Sequence, residues 1–208
     1  MVGTRMTDGD EPGEEEVRVA QLQRVDARRN FGRLLEVAAQ SFADHGTEAS
    51  LRDIARQAGV GIGTLYRHFP TRDDLLEALL HSRFDRLRNL ADGLLASAEP
   101  FDALAGWLGE LVAGTGTYRG LPEAVLAALR DEQSQLHASC EAMRAAGGRL
   151  LQRAQTAGVV REDVVIGEVL ALAAGLAWAG RNTSPPAEAT GKLLAVTLDG
   201  LRVPGTAG

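Results

Sequence analysis

The chain has 208 residues, of which 45% are hydrophobic and 24% charged, with a formal net charge of −6 and one cysteine. This length and apolar content allow one or two domains with a buried core, and the lone Cys140 excludes an internal disulfide and fits a reducing compartment. The sequence contains no bilayer-length apolar run and no cationic leader, which predicts a soluble, cytoplasmic protein without a membrane partner.

Charge is unevenly distributed along the chain. Residues 1–20 carry six acidic residues and two arginines without hydrophobic periodicity, which predicts a disordered acidic tail. Residues 21–72 instead carry eight arginines against five acidic residues. This local positive excess fits a segment that contacts phosphate groups.

The first three predicted helices are closely spaced. Apolar residues recur at helical spacing from about Arg24 to His45. A short second helix follows, because Ser50 and Asp53 have the spacing of a capping box and Gly59 is a stop signal. A third helix runs from about residue 62 to residue 68. Two short helices joined by a glycine turn predict a helix-turn-helix, whose second helix enters the major groove of DNA.

The residue types of this unit suit that role. The apolar residues expected to pack inward are Ile54, Ala55, Val60, Leu65 and Phe69. The opposite arc of the third helix carries Gly63, Thr64, Tyr66 and Arg67. Hydroxyl, phenol and guanidinium groups bind phosphate oxygens and base edges, and glycine allows the backbone to approach DNA closely.

The rest of the chain is also predicted to be helical. Thr71 and Asp74 repeat the capping-box spacing and begin a long helix to about residue 96. Another helix starts at Pro100, and a Gly/Thr-rich loop at residues 114–120 separates it from a helical region at about 122–157 with a break near Gln135. The last two helices span about 164–179 and 186–201. About nine helices without a strand predict an all-α fold, with a three-helix DNA-binding domain at 21–72 and a helical-bundle regulatory and dimerisation domain at 73–208.

The segment G-V-G-I-G-T-L-Y-R-H-F-P-T-R-D-D-L-L, residues 59–76, resembles the signature of the TetR family of bacterial regulators. The segment L-L-Q-R-A-Q-T-A-G-V-V-R-E-D-V, residues 150–164, is similar to the SbtR-like type of C-terminal domain. The resemblance implies a sequence-specific repressor that a small-molecule inducer releases from a pseudo-palindromic operator. An activator or a ligand-independent regulator of the same fold stays open as an alternative.

The resemblance also implies roles for individual residues. Arg52 would reach a base, with guanine expected because arginine binds it most often. The groove-facing residues would be Ile62, Gly63, Thr64, Tyr66 and Arg67. Phosphate would be held by Ser50, Tyr66, His68 and Arg72. Gly61 stands where serine or threonine commonly caps the third helix. Ile62 stands where a polar residue is frequent, so it reads a thymine methyl group or simply packs.

A homodimer through the last two helices is implied as well, and residues 169–180 are almost wholly apolar with many small side chains. The candidate effector contacts are Trp107, Tyr118, Gln133, His137, Cys140, Met143 and Trp178, for which an ordinary core or helix-surface role is the alternative. His137 and Cys140 have the spacing of two metal ligands on a helix. No second pair accompanies them, so neither a metal nor a cofactor is predicted.

Two other classes of protein are less consistent with the sequence. The chain has no phosphate-cradling loop, nucleophile elbow or recognisable acid/base pair, so no enzymatic activity is predicted. A structural, nucleoid-type DNA binder is disfavoured because residues 81–208 are extensive, apolar and acidic. A discrete palindromic footprint would distinguish a regulator from that class.

Overall fold

The computed structural model describes residues 14–115, 121–183 and 185–203, and their side chains except those of residues 14–29, 115, 181 and 187. Within these ranges the chain forms nine α-helices: α1 Glu14–His45, α2 Leu51–Ala58, α3 Ile62–His68, α4 Arg72–Leu94, α5 Pro100–Thr115, α6 Glu123–Arg130, α7 Gln135–Thr156, α8 Ile166–Arg181 and α9 Pro186–Leu201. The predicted all-α fold with an N-terminal helix-turn-helix is confirmed.

Helix α1 begins earlier than the sequence analysis predicted. It starts at Glu14, whereas the prediction placed residues 14–20 in a disordered tail and began the helix near Arg24. Three consecutive glutamates open the helix, where negative charge interacts favourably with the helix dipole, and Ala, Gln, Leu and Arg residues follow with good helix propensity. Helix propensity therefore explains why residues 14–20 are helical although they lack hydrophobic periodicity. Residues 1–13 of the predicted tail lie outside the described residues.

The predicted helix starts have identifiable caps. The Ser50 hydroxyl accepts the Asp53 backbone N–H at 3.3 Å, while the Asp53 carboxylate lies 2.7 Å from a guanidinium nitrogen of Arg56. At α4 the capping box is complete: the Thr71 N–H donates to the Asp74 carboxylate at 2.8 Å, and the Asp74 N–H donates to the Thr71 hydroxyl at 3.1 Å. These side chains define where α2 and α4 begin.

One buried cluster, termed here the head core, joins α1, α2, α3 and the first half of α4. Its fully buried side chains include Leu34, Ala38, Phe42, Ile54, Leu65, Leu75 and Leu76. Val125 of α6 and Leu136 of α7 belong to the same cluster. The head core therefore continues past residue 72, and the predicted domain boundary at that position stays a prediction.

A second cluster, the body core, joins α4, α5, α7 and α8 around Trp107. The Trp107 side chain is fully buried, and its indole N–H donates to the Leu87 carbonyl at 3.0 Å. A Cβ at Gly147 of α7 would lie 2.2 Å from the Trp107 Cη2 atom. The absence of a side chain at Gly147 thus lets α5 and α7 approach each other closely.

The last two helices pack against each other, and α8 also packs against α5. A Cβ at Gly180 of α8 would lie 1.9 Å from the Thr190 hydroxyl of α9, so these helices cross closely there. After α9 the Arg202 guanidinium lies 3.6 Å above the centroid of the Phe101 ring, a cation–π geometry. Among the described residues, no helix is both long enough and apolar enough to cross a bilayer.

Candidate nucleic-acid interface

The turn between α2 and α3 depends on a glycine in the left-handed backbone region. Gly59 has φ 74° and ψ 26°, a conformation that strains residues with a β-carbon. The N–H of Val60 returns to the Ala55 carbonyl at 3.0 Å. Gly61 is the N-cap residue of α3, and its carbonyl accepts the N–H groups of Thr64 and Leu65 at 2.9 and 3.1 Å. Its missing side chain leaves α3 without a side-chain cap, as the sequence indicates.

The inward-facing residues lie where the sequence predicts. Ile54, Ala55, Leu65 and Phe69 are each at most 4% exposed, and Val60 is half-buried. The Phe69 N–H donates to the Leu65 carbonyl at 2.8 Å and ends α3. Because these side chains hold one side of α3 against the head core, its other side faces solvent.

The solvent side of α3 presents the predicted polar groups. Tyr66 is 49% exposed, and Gly63 and Arg67 are also exposed. Thr64 and Ile62 are half-buried. A Cβ built at Gly63 would have no heavy atom within 4 Å, so contacts within this chain do not require glycine there. The open space leaves room for an external partner to approach the backbone.

Three residues flank this surface. Arg52 of α2 is exposed. The exposed Ser50 hydroxyl accepts a backbone N–H, and its own proton is available for donation to a phosphate. His68 is exposed at the end of α3, with its ring centroid 5.8 Å from that of Phe31 and 6.3 Å from that of Phe69. Two of the residues that are predicted to bind phosphate, Ser50 and His68, thus also contact groups of their own chain.

Arg72 has a positioning role that the sequence analysis missed. Its Nη1 atom donates to the carbonyls of Thr47 and Ala49 at 2.6 and 2.5 Å. These bonds tie the start of α4 to the connection between α1 and α2. The partners precede Arg72 by 25 and 23 residues, so no local sequence signal identifies them. The phosphate contact that the resemblance implies for Arg72 stays a prediction.

The structure places the described candidate effector residues in different surroundings. Trp107 and Met143 are buried in the body core. Gln133 is exposed between α6 and α7, and the His137 Nδ1 atom lies 2.9 Å from the Leu129 carbonyl oxygen. Tyr118 lies outside the described residues.

Cys140 is half-buried beside the body core. Burial, with a smaller contribution from the neighbouring Glu141 carboxylate, raises the pKa of its thiol. A raised pKa lowers the thiolate fraction, and metal ligation requires the thiolate. Among the described residues, no group of three or more His, Cys, Asp or Glu side chains is arranged to hold a metal ion.

An apolar surface lies on the last two helices. Trp178 and Leu172 of α8 are 65% and 49% exposed, and Val196 of α9 is 70% exposed. These three residues are termed here the α8–α9 face. Trp178, a candidate effector contact, therefore lies on the helices that the sequence analysis assigned to dimerisation.

Comparisons with known proteins confirm both predicted resemblances. Residues 34–79 match the family described as bacterial regulatory proteins, tetR family, and residues 99–203 match the transcriptional regulator SbtR-like C-terminal domain. The TetR regulator SCO0520 from Streptomyces coelicolor is 32% identical, with a TM-score of 0.69 and coverage of 84% of this chain and 99% of that one.

Two mycobacterial proteins are also similar. A TetR regulatory protein from Mycobacterium vanbaalenii is 34% identical, with a TM-score of 0.62, and the alignment covers 87% of this chain and 99% of that one. The transcriptional repressor KstR2 from Mycobacterium tuberculosis is 39% identical over 87 residues, which cover 39% of this chain and 41% of KstR2. The match to that curated relative thus spans less than half of its length.

Proposed function

Because the chain belongs to the TetR family of bacterial transcriptional regulators, we propose that it is a homodimeric repressor that binds a pseudo-palindromic DNA operator and leaves it when a small molecule binds. DNA-binding regulation is common to the family. The observation that carries the proposal is α3 itself, whose buried Leu65 anchors a surface on which Tyr66 and Arg67 are exposed.

The proposed contacts divide into base readout and phosphate binding. Base edges are contacted from the groove-facing side of α3 and from Arg52 of α2, by Ile62, Gly63, Thr64, Tyr66 and Arg67. Phosphate groups are bound at the rim of the groove, by Ser50 and His68 and by Arg72 through the guanidinium nitrogens that do not bind the α1–α2 connection. Gly61 lies at the N-terminus of α3, where backbone N–H groups point outward.

The α8–α9 face supports the proposed homodimer. Large apolar side chains exposed on adjacent helices mark interaction surfaces in many proteins. An isologous contact through this face would relate two α3 helices by two-fold symmetry, and a pseudo-palindrome needs reading helices about 34–36 Å apart. A cytoplasmic location follows from this role, since the operator lies on the bacterial chromosome.

Repression and release by an effector are the finer parts of the proposal. KstR2 is described as a repressor, which supports repression as the mode of action. A releasing molecule must bind the state that does not fit the operator more tightly than the state that does, since equal affinity would shift nothing. The coupling passes through the start of α4, which Arg72 ties to the DNA-binding helices.

The test is a selection of bound duplexes from a random-sequence DNA library, using the full chain at physiological salt. We expect an inverted repeat whose two half-sites lie about one helical turn apart. Scrambling one half-site is the control and should remove high-affinity binding. Salt-sensitive binding without any preferred sequence would contradict the proposal and favour a structural DNA binder.

Transcription in vitro from a promoter that carries the selected repeat then separates the two modes of regulation. A repressor lowers the yield of transcript from this template but not from the template with the scrambled half-site. A raised yield would contradict repression and support the activator alternative.

A further inference from the structure

A groove of about 720 Å³ lies where the DNA-binding helices meet the rest of the protein. Phe31 of α1 and Phe69 at the end of α3 line one side of it, and α4 lines the other. Gln135 and Leu136 close it at the start of α7. The volume is within the range of about 300–1,000 Å³ that is typical of small-molecule sites. None of the candidate effector residues in the described part of the chain lines this groove.

Aromatic rings form the apolar side of the groove. The Phe31 ring centroid lies 5.5 Å from that of Phe69 and 5.8 Å from that of His68, which meets it edge-on. Phe31 is nevertheless 38% exposed, so part of its ring is left uncovered. An uncovered ring offers apolar contact, and its face attracts a positive charge.

Carboxylates predominate on the α4 side of the groove. Asp74, Glu77 and Asp85 contribute three, against the single guanidinium of Arg86. Asp74 is engaged in the capping box of α4, and Asp85 lies 3.3 Å from the His81 ring and 3.6 Å from a guanidinium nitrogen of Arg88.

Glu77 differs from these two carboxylates. It is half-buried, and in the described part of the chain its carboxylate has no hydrogen-bond or ion-pair partner. A partly desolvated carboxylate without a partner favours the arrival of a cation.

We infer that the groove binds a small organic cation with an aromatic or apolar body, its charge near Glu77 and its body against Phe31. The carboxylate predominance selects the charge of the ligand, and the uncovered ring selects its apolar part. His68, a proposed phosphate contact, also lines this groove, whereas the other proposed DNA contacts do not.

The regulatory consequence rests on the proposed function. One side of the groove belongs to α1 and the end of α3, and the other to α4 and α7. A ligand that touches both sides favours one relative position of these helices. We expect the position that the ligand favours to differ from the one that fits the operator, so that occupancy weakens operator binding.

The first test titrates the full chain with tetraphenylphosphonium and with tetraphenylborate by isothermal calorimetry. The two ions share one shape and carry opposite charges. We expect the phosphonium to bind at least about 10-fold more tightly, because like charges repel the borate from the carboxylates. Equal affinity for the two ions would overturn the assignment.

Two variants locate the bound cation. Glu77→Gln should weaken phosphonium binding about 5-fold, and Phe31→Leu about 3-fold. Glu110→Gln, which changes an exposed carboxylate of α5 outside the groove, is the matched control and should bind as the wild type does. Wild-type affinity in the correctly folded Glu77→Gln variant would overturn the site.

Operator affinity is measured separately, by fluorescence anisotropy with the selected repeat. Operator binding without phosphonium binding would overturn the groove assignment and leave the proposed function intact. Phosphonium binding in a chain that binds no operator would overturn the proposed function and leave the groove assignment intact. Saturating phosphonium should raise the operator Kd at least about 10-fold, by more than 1.4 kcal/mol, and an unchanged Kd would overturn the regulatory consequence.

Discussion

Arg52 and Arg56 lie one turn apart on α2 and differ in what their guanidinium groups contact. Arg56 pairs with Asp53 at 2.7 Å, whereas Arg52 is exposed and has no side-chain partner in the described part of the chain. An unpaired guanidinium loses less when it binds a base than one that must first leave a carboxylate. This difference favours Arg52 as the residue of α2 that reads DNA.

Removal of these side chains should have unequal effects on operator binding. Arg52→Ala is expected to cost about 1–3 kcal/mol of binding free energy, as for other arginines that contact guanine. Tyr66→Ala should also weaken binding strongly. Arg56→Ala is the matched control and should change binding by less than about 0.5 kcal/mol.

Fluorescence anisotropy with a labelled operator measures these affinities, and size-exclusion chromatography checks that each variant keeps its oligomeric state. Retention of full affinity by Arg52→Ala or Tyr66→Ala would contradict the role assigned to that residue.

Local sequence predicted some residue roles and missed others. The exposure of Tyr66 and the burial of Leu65 follow from helical periodicity, because adjacent helix positions face different directions. The hydrogen bonds of Arg72 could not be predicted this way, since both acceptors lie more than 20 residues away. Local patterns indicate which side of a helix is buried but not which distant carbonyl a long side chain reaches.

Two adjacent glycines of α7 stand in different surroundings. A Cβ at Gly147 would lie 2.2 Å from Trp107, whose ring is fixed in the body core by burial and by its bond to the Leu87 carbonyl. A Cβ at Gly148 would lie 3.8 Å from Ile166, an ordinary contact distance. The two positions therefore separate the steric effect of a methyl group from its effect on helix propensity.

Replacing each glycine by alanine should change stability in opposite directions. Gly147→Ala is expected to lower the free energy of unfolding by about 1–3 kcal/mol, because an overpacked core must shift. Gly148→Ala should raise it by about 0.5–1 kcal/mol through helix propensity. Urea denaturation followed by circular dichroism measures both changes. A Gly147→Ala variant as stable as Gly148→Ala would show that Trp107 moves without cost.

At the scale of secondary-structure elements, the positions of the helices were largely predictable from the sequence. The caps at Ser50 and Thr71 were predicted from short polar patterns, because capping side chains act over three residues. The predicted break near Gln135 coincides with the start of α7. The predicted start of α1 was wrong. The observed start depends on helix propensity and on charge at the helix terminus, and little hydrophobic periodicity marks it in the sequence.

The α8–α9 face links the folding of one chain to the proposed assembly of two. Val196 and Leu172 lie on adjacent helices, and both are about half or more exposed. In a homodimer these side chains would be removed from water, which contributes roughly 25 cal/mol per Å² of apolar area.

A charge on this face should therefore disrupt the dimer. Val196→Glu is expected to raise the dimer dissociation constant at least about 10-fold, because an unpaired carboxylate would be buried at the interface. Operator affinity should fall with it, since separate subunits no longer hold two reading helices together. Sedimentation equilibrium measures the association.

Ala145→Glu is the control for this experiment, because Ala145 is exposed on α7 and outside the α8–α9 face. This variant should remain a dimer. A Val196→Glu protein that associates as tightly as the wild type would place the interface elsewhere.

Long-range arrangement was the least predictable property of the molecule. The apolar character of α8 and α9 was evident from sequence, but the groove was not, because Phe31 and Glu77 are distant in the chain and meet only after folding. The candidate effector residues were chosen by chemical type. Trp107 is a buried core residue, and residue type alone does not distinguish a core tryptophan from one that lines a ligand site.

The composition of the head core limits how the helix-turn-helix could be transferred to a different regulatory domain. Two of its buried side chains, Val125 and Leu136, come from α6 and α7. A fragment cut after α4 would lose both and leave their apolar neighbours facing water. A chimera must therefore carry residues 121–136 along with the first four helices, or supply a substitute surface of the same shape from its new host.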